Sequence, residues 1–404
     1  MAAEFRDFFS MPDDLVYFNA SYLTPLPQLS AAAGTMAIAQ REESFWEFAT
    51  SEFFDSTEKL RSLVAILWGT LPHNIAVVPS VSYGVETAVR AIPLGPGDEV
   101  VIPQDDFPSN VYPWAEATKN TGARIVMVPR PHDFNWTRQI CESIRRTTRV
   151  VSVPLTDWSD GTLFDLKVIS QRAREVGAAL VVDVSQSFGA QPFSISDFDP
   201  DFLFSVGYKW QLGPYGLSYL YVADRWREAQ PIENAWLNRK GSEDFTRLSE
   251  YREEYQEGAR RFDAGQRSQF HLTPMALESM RLLREVTIAK IQTHNQKLVS
   301  TLHQGMTGLG FQMAPLERLA GHMLGVRHRN WPDMNPLVRR LKDRRVFASA
   351  RGPCLRISPH LYNHEGEVEI FLAAVGEELR GSLGSSARQN HEPDAPATNK
   401  PLQI

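Results

Sequence analysis

An α/β protein with a mostly parallel sheet covered on both faces is what this sequence predicts, on three observations. Short continuous apolar runs such as Ala179-Leu-Val-Val-Asp183 recur through the first two-thirds of the chain, as in strands buried on both faces. Between them lie segments with apolar residues in helical spacing, for example Leu60, Leu63, Val64 and Leu67. Turn sequences such as Gly95-Pro-Gly-Asp98 separate the two kinds of segment. Strands alternating with helices build βαβ units.

Taken in order, residues 1–30 read as an N-terminal arm, with a short strand candidate at residues 16–20 that Pro25 and Pro27 stop. Helices are expected over about residues 30–47 and 56–68. Strands then read at 75–79, 99–102, 124–128, 150–154 and 180–183, with helices at 83–91, 111–121, 138–146 and 166–176 between them. Two more apolar strands flank the turn Gly213-Pro-Tyr-Gly216. From about Pro274 the texture changes. A long helix, 274–309, precedes short strands and helices at 322–327, 335–342, 355–357 and 365–380. The expected division is a large α/β domain over 31–265, a smaller α+β domain over 266–380 and a disordered polar tail over 381–404.

The bulk properties exclude several classes. A net charge of −6 offers no basic surface for nucleic acid. The two cysteines, Cys141 and Cys354, are far apart and lack metal-ligand spacing, which argues for a reducing compartment and against both a disulfide framework and a metal site. No apolar run approaches the roughly 20 residues that span a bilayer, and the N-terminus lacks a signal-peptide pattern. A cytoplasmic protein without membrane or nucleic-acid partners is expected.

Lys209 is the most informative residue. It lies between the apolar run Phe202-Leu-Phe-Ser-Val206 and a glycine-rich turn, where a lysine is costly unless paired or used covalently. Asp183 ends an earlier strand, with Gln186 just after it. This pairing suits pyridoxal 5′-phosphate: the lysine makes a Schiff base, and the aspartate pairs with the pyridinium nitrogen. Ser82, Phe107, Trp158, Asp183 and Lys209 all fall at or just after strand ends, where ligands bind on such sheets. Ser82, with the amides of Tyr83 and Gly84, lies at a helix start that suits a phosphate. Arg356, between Leu355 and Ile357, needs an anionic partner if it points inward, either an internal acid or a ligand.

Five segments, taken together, resemble one known family: Asp105-Asp-Phe-Pro-Ser-Asn-Val-Tyr112, Trp158-Ser-Asp-Gly-Thr-Leu-Phe-Asp165, Asp183-Val-Ser-Gln186, Tyr208-Lys-Trp-Gln-Leu-Gly-Pro-Tyr-Gly216 and Leu355-Arg-Ile-Ser-Pro-His-Leu-Tyr-Asn363. The chain resembles the class V aminotransferases of fold type I, and within them the kynureninase-like and isopenicillin-N-epimerase-like branch, from about Tyr17 to about Arg380. The resemblance implies a seven-stranded large domain and a homodimer with its site at the subunit interface. It makes Lys209 the Schiff-base lysine, Asp183 the partner of the ring nitrogen, and Gln186 the partner of the 3-oxygen. Phe107 would stack on the ring, Tyr208 and Ser82 would reach the phosphate, and Arg356 would grip the substrate carboxylate. Trp158 and Asp160 would face the site, and Tyr22 belongs to the aromatic neighbourhood of the substrate. One segment departs from the pattern: Gln266, Arg267 and Ser268 stand where the family often carries a Gly-Thr pair that reaches the partner's phosphate.

Transaminase-type chemistry on an amino acid is the leading expectation. A β-lyase or epimerase acting on a cysteine-derived conjugate is the alternative. Desulfuration is disfavoured, because Cys354 lies only two residues before Arg356 and Cys141 lies in a surface helix. A cofactor-binding module without turnover is the reading from another class; the arm is too short to hold a DNA-binding domain.

Overall fold

The computed structural model of the chain describes residues 5–386. In order, β1 (Val16–Tyr17) precedes α1 (Gln28–Glu43) and α2 (Asp55–Trp68). The alternating region follows: β2 (Ile75–Val78), α3 (Val81–Ala91), β3 (Glu99–Pro103), α4 (Pro108–Thr121), β4 (Arg124–Val128), α5 (Trp136–Ser143), β5 (Thr148–Pro154), α6 (Leu166–Val176), β6 (Ala179–Asp183), β7 (Phe202–Val206) and β8 (Ser218–Val222). These strands form a seven-stranded sheet in the order β2-β8-β7-β6-β5-β3-β4. Only β8 runs against the rest, since it is antiparallel to both β2 and β7 while the other pairs are parallel. The carboxyl ends of β2, β3, β5, β6 and β7 therefore share one edge. The central strands are buried along their whole length, as their apolar runs demand, whereas the edge strand β4 exposes Arg124 and Met127.

Beyond the sheet come α7 (Leu272–Val286), α8 (Ile288–Gly308), β9 (Gln312–Met313), β10 (Leu324–Arg327), α9 (Asn335–Asp343), β11 (Val346–Phe347), β12 (Ser349–Arg351), β13 (Cys354–Ile357) and α10 (Glu365–Ser386). Here β12-β13-β10-β9 make an antiparallel sheet. The arm is part of this half: β1 pairs in parallel with β11.

Three expectations change. The long helix is two, broken at Thr287, whose φ of 69° is left-handed and whose hydroxyl caps α8 through the Lys290 amide. The first helix ends at Glu43 and gives way to short 3-10 turns, so residues 44–47 are not α-helical. Residues 381–386, placed in the tail by sequence, continue α10; the rest of the tail lies outside the described residues. The apolar clusters also divide elsewhere than at residue 265. Ala276, Leu277, Met280 and Leu283 of α7 pack with Leu60 and Val64 in the large-domain core. Leu298, Leu302 and Val326 instead pack with Val16 and Phe18 of the arm.

Candidate active site

The strand ends converge on a cavity of about 510 Å³. Lys209, Tyr208, Trp158, Phe107, Gln186 and Arg356 line it, together with Tyr22 and Ser21 of the arm. A larger hollow of about 810 Å³ lies by His294 and His364, on the helices α8 and α10 and away from the strand ends.

Lys209 sits in a turn that its neighbours force. The Leu212 amide donates to the Lys209 carbonyl at 2.9 Å, and Leu212 takes a left-handed φ of 60°. A Cβ on Gly213 would come within 2.6 Å of the Gly207 carbonyl oxygen, so only glycine closes this turn. Thr24 Oγ1 of the arm donates to the Lys209 carbonyl at 2.7 Å. The Lys209 side chain is buried, with Nζ 5.4 Å from the Phe107 ring centroid and 5.9 Å from that of Tyr208. No ion pair forms on it among the described residues. Burial lowers its pKa from 10.5 to about 8; the Asp183 charge opposes this shift, and Arg356 and Arg351 add to it.

Asp183 is buried, and its charge acts on Lys209. Asn110 Nδ2 donates to its Oδ2 at 2.9 Å and the Ser185 amide to its Oδ1 at 2.7 Å. Asn110 also approaches both oxygens of Asp106 at 3.4 Å. Burial, and then the Asp183 charge, push the Asp106 carboxyl well above the usual range. Gln186 is fixed at both ends: its Nε2 donates to the Ser21 carbonyl at 3.2 Å, and its Oε1 accepts from Trp210 Nε1 at 2.9 Å. Phe107 and Trp158 meet edge to face, with centroids 5.6 Å apart.

Arg356 is buried and has no acid on it. Its Nη1 donates to the Trp158 carbonyl at 2.7 Å and its Nε to Ser349 Oγ at 3.3 Å, while Nη2 has no partner. The internal salt bridge that would have explained it is missing among the described residues. Burial first, and then the Arg351 charge, lower its pKa to about 9. A buried guanidinium in this state is held ready for an anion.

Several residues singled out by the sequence meet different geometry. Ser80, not Ser82, caps α3, accepting the Tyr83 amide at 3.2 Å. The Gly84 amide is also used, bonded to the Ser80 carbonyl at 3.3 Å. Neither amide is therefore open to a phosphate, and by helix geometry the open pair at this helix start belongs to Val81 and Ser82. Gly84 instead lets α3 approach Phe204, whose Cβ a Gly84 Cβ would meet at 3.2 Å. Ser82 is exposed, with its hydroxyl 2.9 Å from that of Ser80. Arg267 and Ser268 point inward. Arg267 is buried 3.1 Å from Asp263, and Ser268 donates to the Phe53 carbonyl, so only Gln266 of the three is exposed. Asp160 is buried on Arg130 at 2.6 Å and does not line the cavity.

Arg351, Tyr215, Trp210, His322 and His360 escaped the sequence reading. For Arg351 a signal existed. Gly352-Pro353 makes a two-residue hairpin loop that pairs Arg351 with Cys354 and Ser349 with Arg356, so Arg351 and Arg356 share one face.

A family model described as Aminotransferase class-V matches residues 43–324. An uncharacterized aminotransferase YcbU of Bacillus subtilis is 26% identical over 319 residues, covering 78% of this chain and 82% of that one. A probable cysteine desulfurase of Pyrococcus abyssi is 24% identical over 400 residues, covering 93% and 97%. Among solved structures, a C-DES variant with glycine covalently linked to its PLP cofactor superposes with a TM-score of 0.84 at 19% identity, covering 92% of this chain and 99% of that one. The shared architecture is fold type I.

Proposed function

The chain belongs to the aminotransferase class-V family, and from that premise we propose that it acts on an α-amino acid as a lyase that eliminates a β-substituent carried through sulfur. Its cofactor is pyridoxal 5′-phosphate, which the site fits: a buried lysine free of ion pairs, a carboxylate whose charge acts on it and an aromatic ring beside it. That cofactor, when bound, supplies an electron sink for negative charge developing at the substrate α-carbon.

The remaining roles fall to the chain's own residues. The Arg356 fork takes the α-carboxylate and sets the angle of the Cα–H bond. The Lys209 amine would accept the α-proton; its lowered pKa makes the neutral base accessible near neutrality. Asp183, fixed by Asn110 and Ser185, holds a proton at the ring nitrogen. Gln186, Phe107 and Trp158, which line the cavity, would hold the ring. Tyr208, Ser82 and the first amides of α3 serve the phosphate. For a cysteine conjugate the balance is RS–CH2–CH(NH3+)–COO− plus water giving RSH, pyruvate and ammonium.

The observation that carries this reading is the unpaired Arg356 guanidinium, which faces the same cavity as Lys209. The choice of exit rests on the cysteines. A desulfurase-like relative suggests C–S cleavage, yet Cys354 is buried, donates to the Ser159 carbonyl at 3.4 Å, and is pushed up to about 12 by burial. Neither cysteine lines the cavity. Sulfur would therefore leave as a free thiol rather than on an enzyme cysteine. Transamination is the second reading, favoured by the aminotransferase relative. A second copy of the chain is expected over the exposed apolar residues Leu29, Met36, Phe45 and Trp46.

The test is an absorbance spectrum of the cofactor-loaded protein with a panel of amino acids and cysteine conjugates. Pyruvate, ammonia and a returning visible band support the lyase. A lasting loss of the visible band with release of the substrate's own keto acid establishes transamination instead. Failure to take up cofactor overturns both.

A further inference from the structure

We infer that the substrate carries a second anionic group, on its side chain, and that Arg351 receives it. The inference rests on the function proposed above and names the substrate class for that same cavity. Arg351 and Arg356 both line the cavity, and neither forms an ion pair among the described residues. A carboxylate whose charge acts on Arg356 is that of Asp157, which is itself bonded to Arg130 at 3.2 Å. Arg351 spends one N–H on the Ala350 carbonyl at 2.7 Å, and the only groups that raise its pKa are Tyr22 and Cys354.

A protein does not place two like charges on one face of a hairpin without a reason. The 349–357 hairpin makes them diagonal neighbours, and the Arg351 charge disfavours the charged form of Arg356. Both guanidinium groups also lie near one ring, 5.8 and 6.0 Å from the Trp158 centroid. One carboxylate needs one fork. The second fork therefore calls for a second oxyanion, at the distal end of the substrate. Of the groups assigned above to the cofactor phosphate, Ser82 at the start of α3 does not line this cavity, and Tyr208, which does, is not on the arginine hairpin.

The experiment uses the cofactor-loaded protein and compares glutarate with valerate, which has the same carbon count and one carboxylate. Binding is followed by tryptophan fluorescence, Trp158 lying beside both arginines. Glutarate is expected to bind about tenfold more tightly or better, the scale of one charge-assisted contact. Arg351→Gln is expected to bring glutarate down to the valerate affinity and leave valerate unchanged. Arg356→Gln is expected to weaken both acids. Arg351→Lys, which keeps the charge and the packing, is expected to retain part of the preference. Equal binding of the two acids by the unaltered protein overturns the inference, as does a preference that survives in Arg351→Gln. Absence of a cofactor band fails the underlying function separately, since the anion comparison is read without turnover.

Discussion

The indole N–H of Trp210 donates to Oε1 of Gln186 at 2.9 Å, and the residue preceding Trp210 is Lys209. One rigid ring thus ties the lysine turn to the Gln186 amide, which lines the same cavity. Two histidines clamp that ring: His322 edge to face at 4.6 Å and His360 stacked at 5.6 Å. His322 Nε2 donates to the Gln186 carbonyl and His360 Nε2 to the Trp210 carbonyl, the latter at 3.1 Å. The whole assembly is buried.

Replacing Trp210 with Phe keeps an aromatic ring but leaves Gln186 Oε1 buried without its donor. The expected cost is about 1–3 kcal/mol, the penalty of an unsatisfied buried acceptor. Chemical denaturation measures it, and cofactor release should quicken in the same variant because Gln186 gains freedom. Unchanged stability would show that water replaces the indole.

Stability should fall in a defined acid window. Burial holds both His322 and His360 at a pKa of about 4, below the usual 6.5, so both are neutral in the native state. Between these values the unfolded chain binds more protons than the native one. Their contribution is therefore complete above about pH 6.5 and is lost as pH drops toward about 4. The histidine contribution to the melting temperature should decline as pH falls within this window. His360→Gln should flatten part of the slope; an unaltered slope would sink the assignment.

Asp106 gives the opposite sign. Its pKa is raised, by burial first and then by Asp183, so the native state favours the neutral carboxyl. The stability this contributes is present at low pH and is lost as pH climbs through the raised value. Asp106→Asn keeps an oxygen that can accept the Phe107 amide, whose bond to Oδ1 is 2.7 Å. The variant should gain stability over the parent as pH increases above the ordinary carboxylate range, as read by urea denaturation. A gain that shrinks with pH contradicts this.

Covalent capture of pyridoxal 5′-phosphate by apoprotein should report the lowered pKa of Lys209. At about pH 8 half of this amine is neutral, against well under 1% for an ordinary lysine. The capture rate should rise with pH and level off above about 8 rather than 10.5. Lys209→Ala should show no visible band and no borohydride-fixed cofactor. Retention of either places the attachment on another lysine.

Much of this molecule was legible in the chain. Ala179–Asp183 and Phe202–Val206 are strands buried on both faces, so their side chains had to be apolar throughout, and that run shows without knowing what packs on it. Lys209 stood out because a charge beside such strands is costly. Helix ends were less legible. The break at Thr287 depends on a left-handed backbone that no glycine or proline announced. Ser82 and Ser80 are both plausible caps by composition, and only the dihedrals choose Ser80.

By itself, then, the sequence determined the alternation of strands and helices and the family, and singled out Lys209 and Asp183 as candidates, because each depends on residue type and local spacing. Only the tertiary structure decided which arginines have no acid, that Arg267 is taken by Asp263, and that two histidines clamp Trp210. Those facts join residues far apart in the chain. Whether a buried charge is satisfied or waiting is a property of what surrounds it, and the surroundings exist only once the chain has folded.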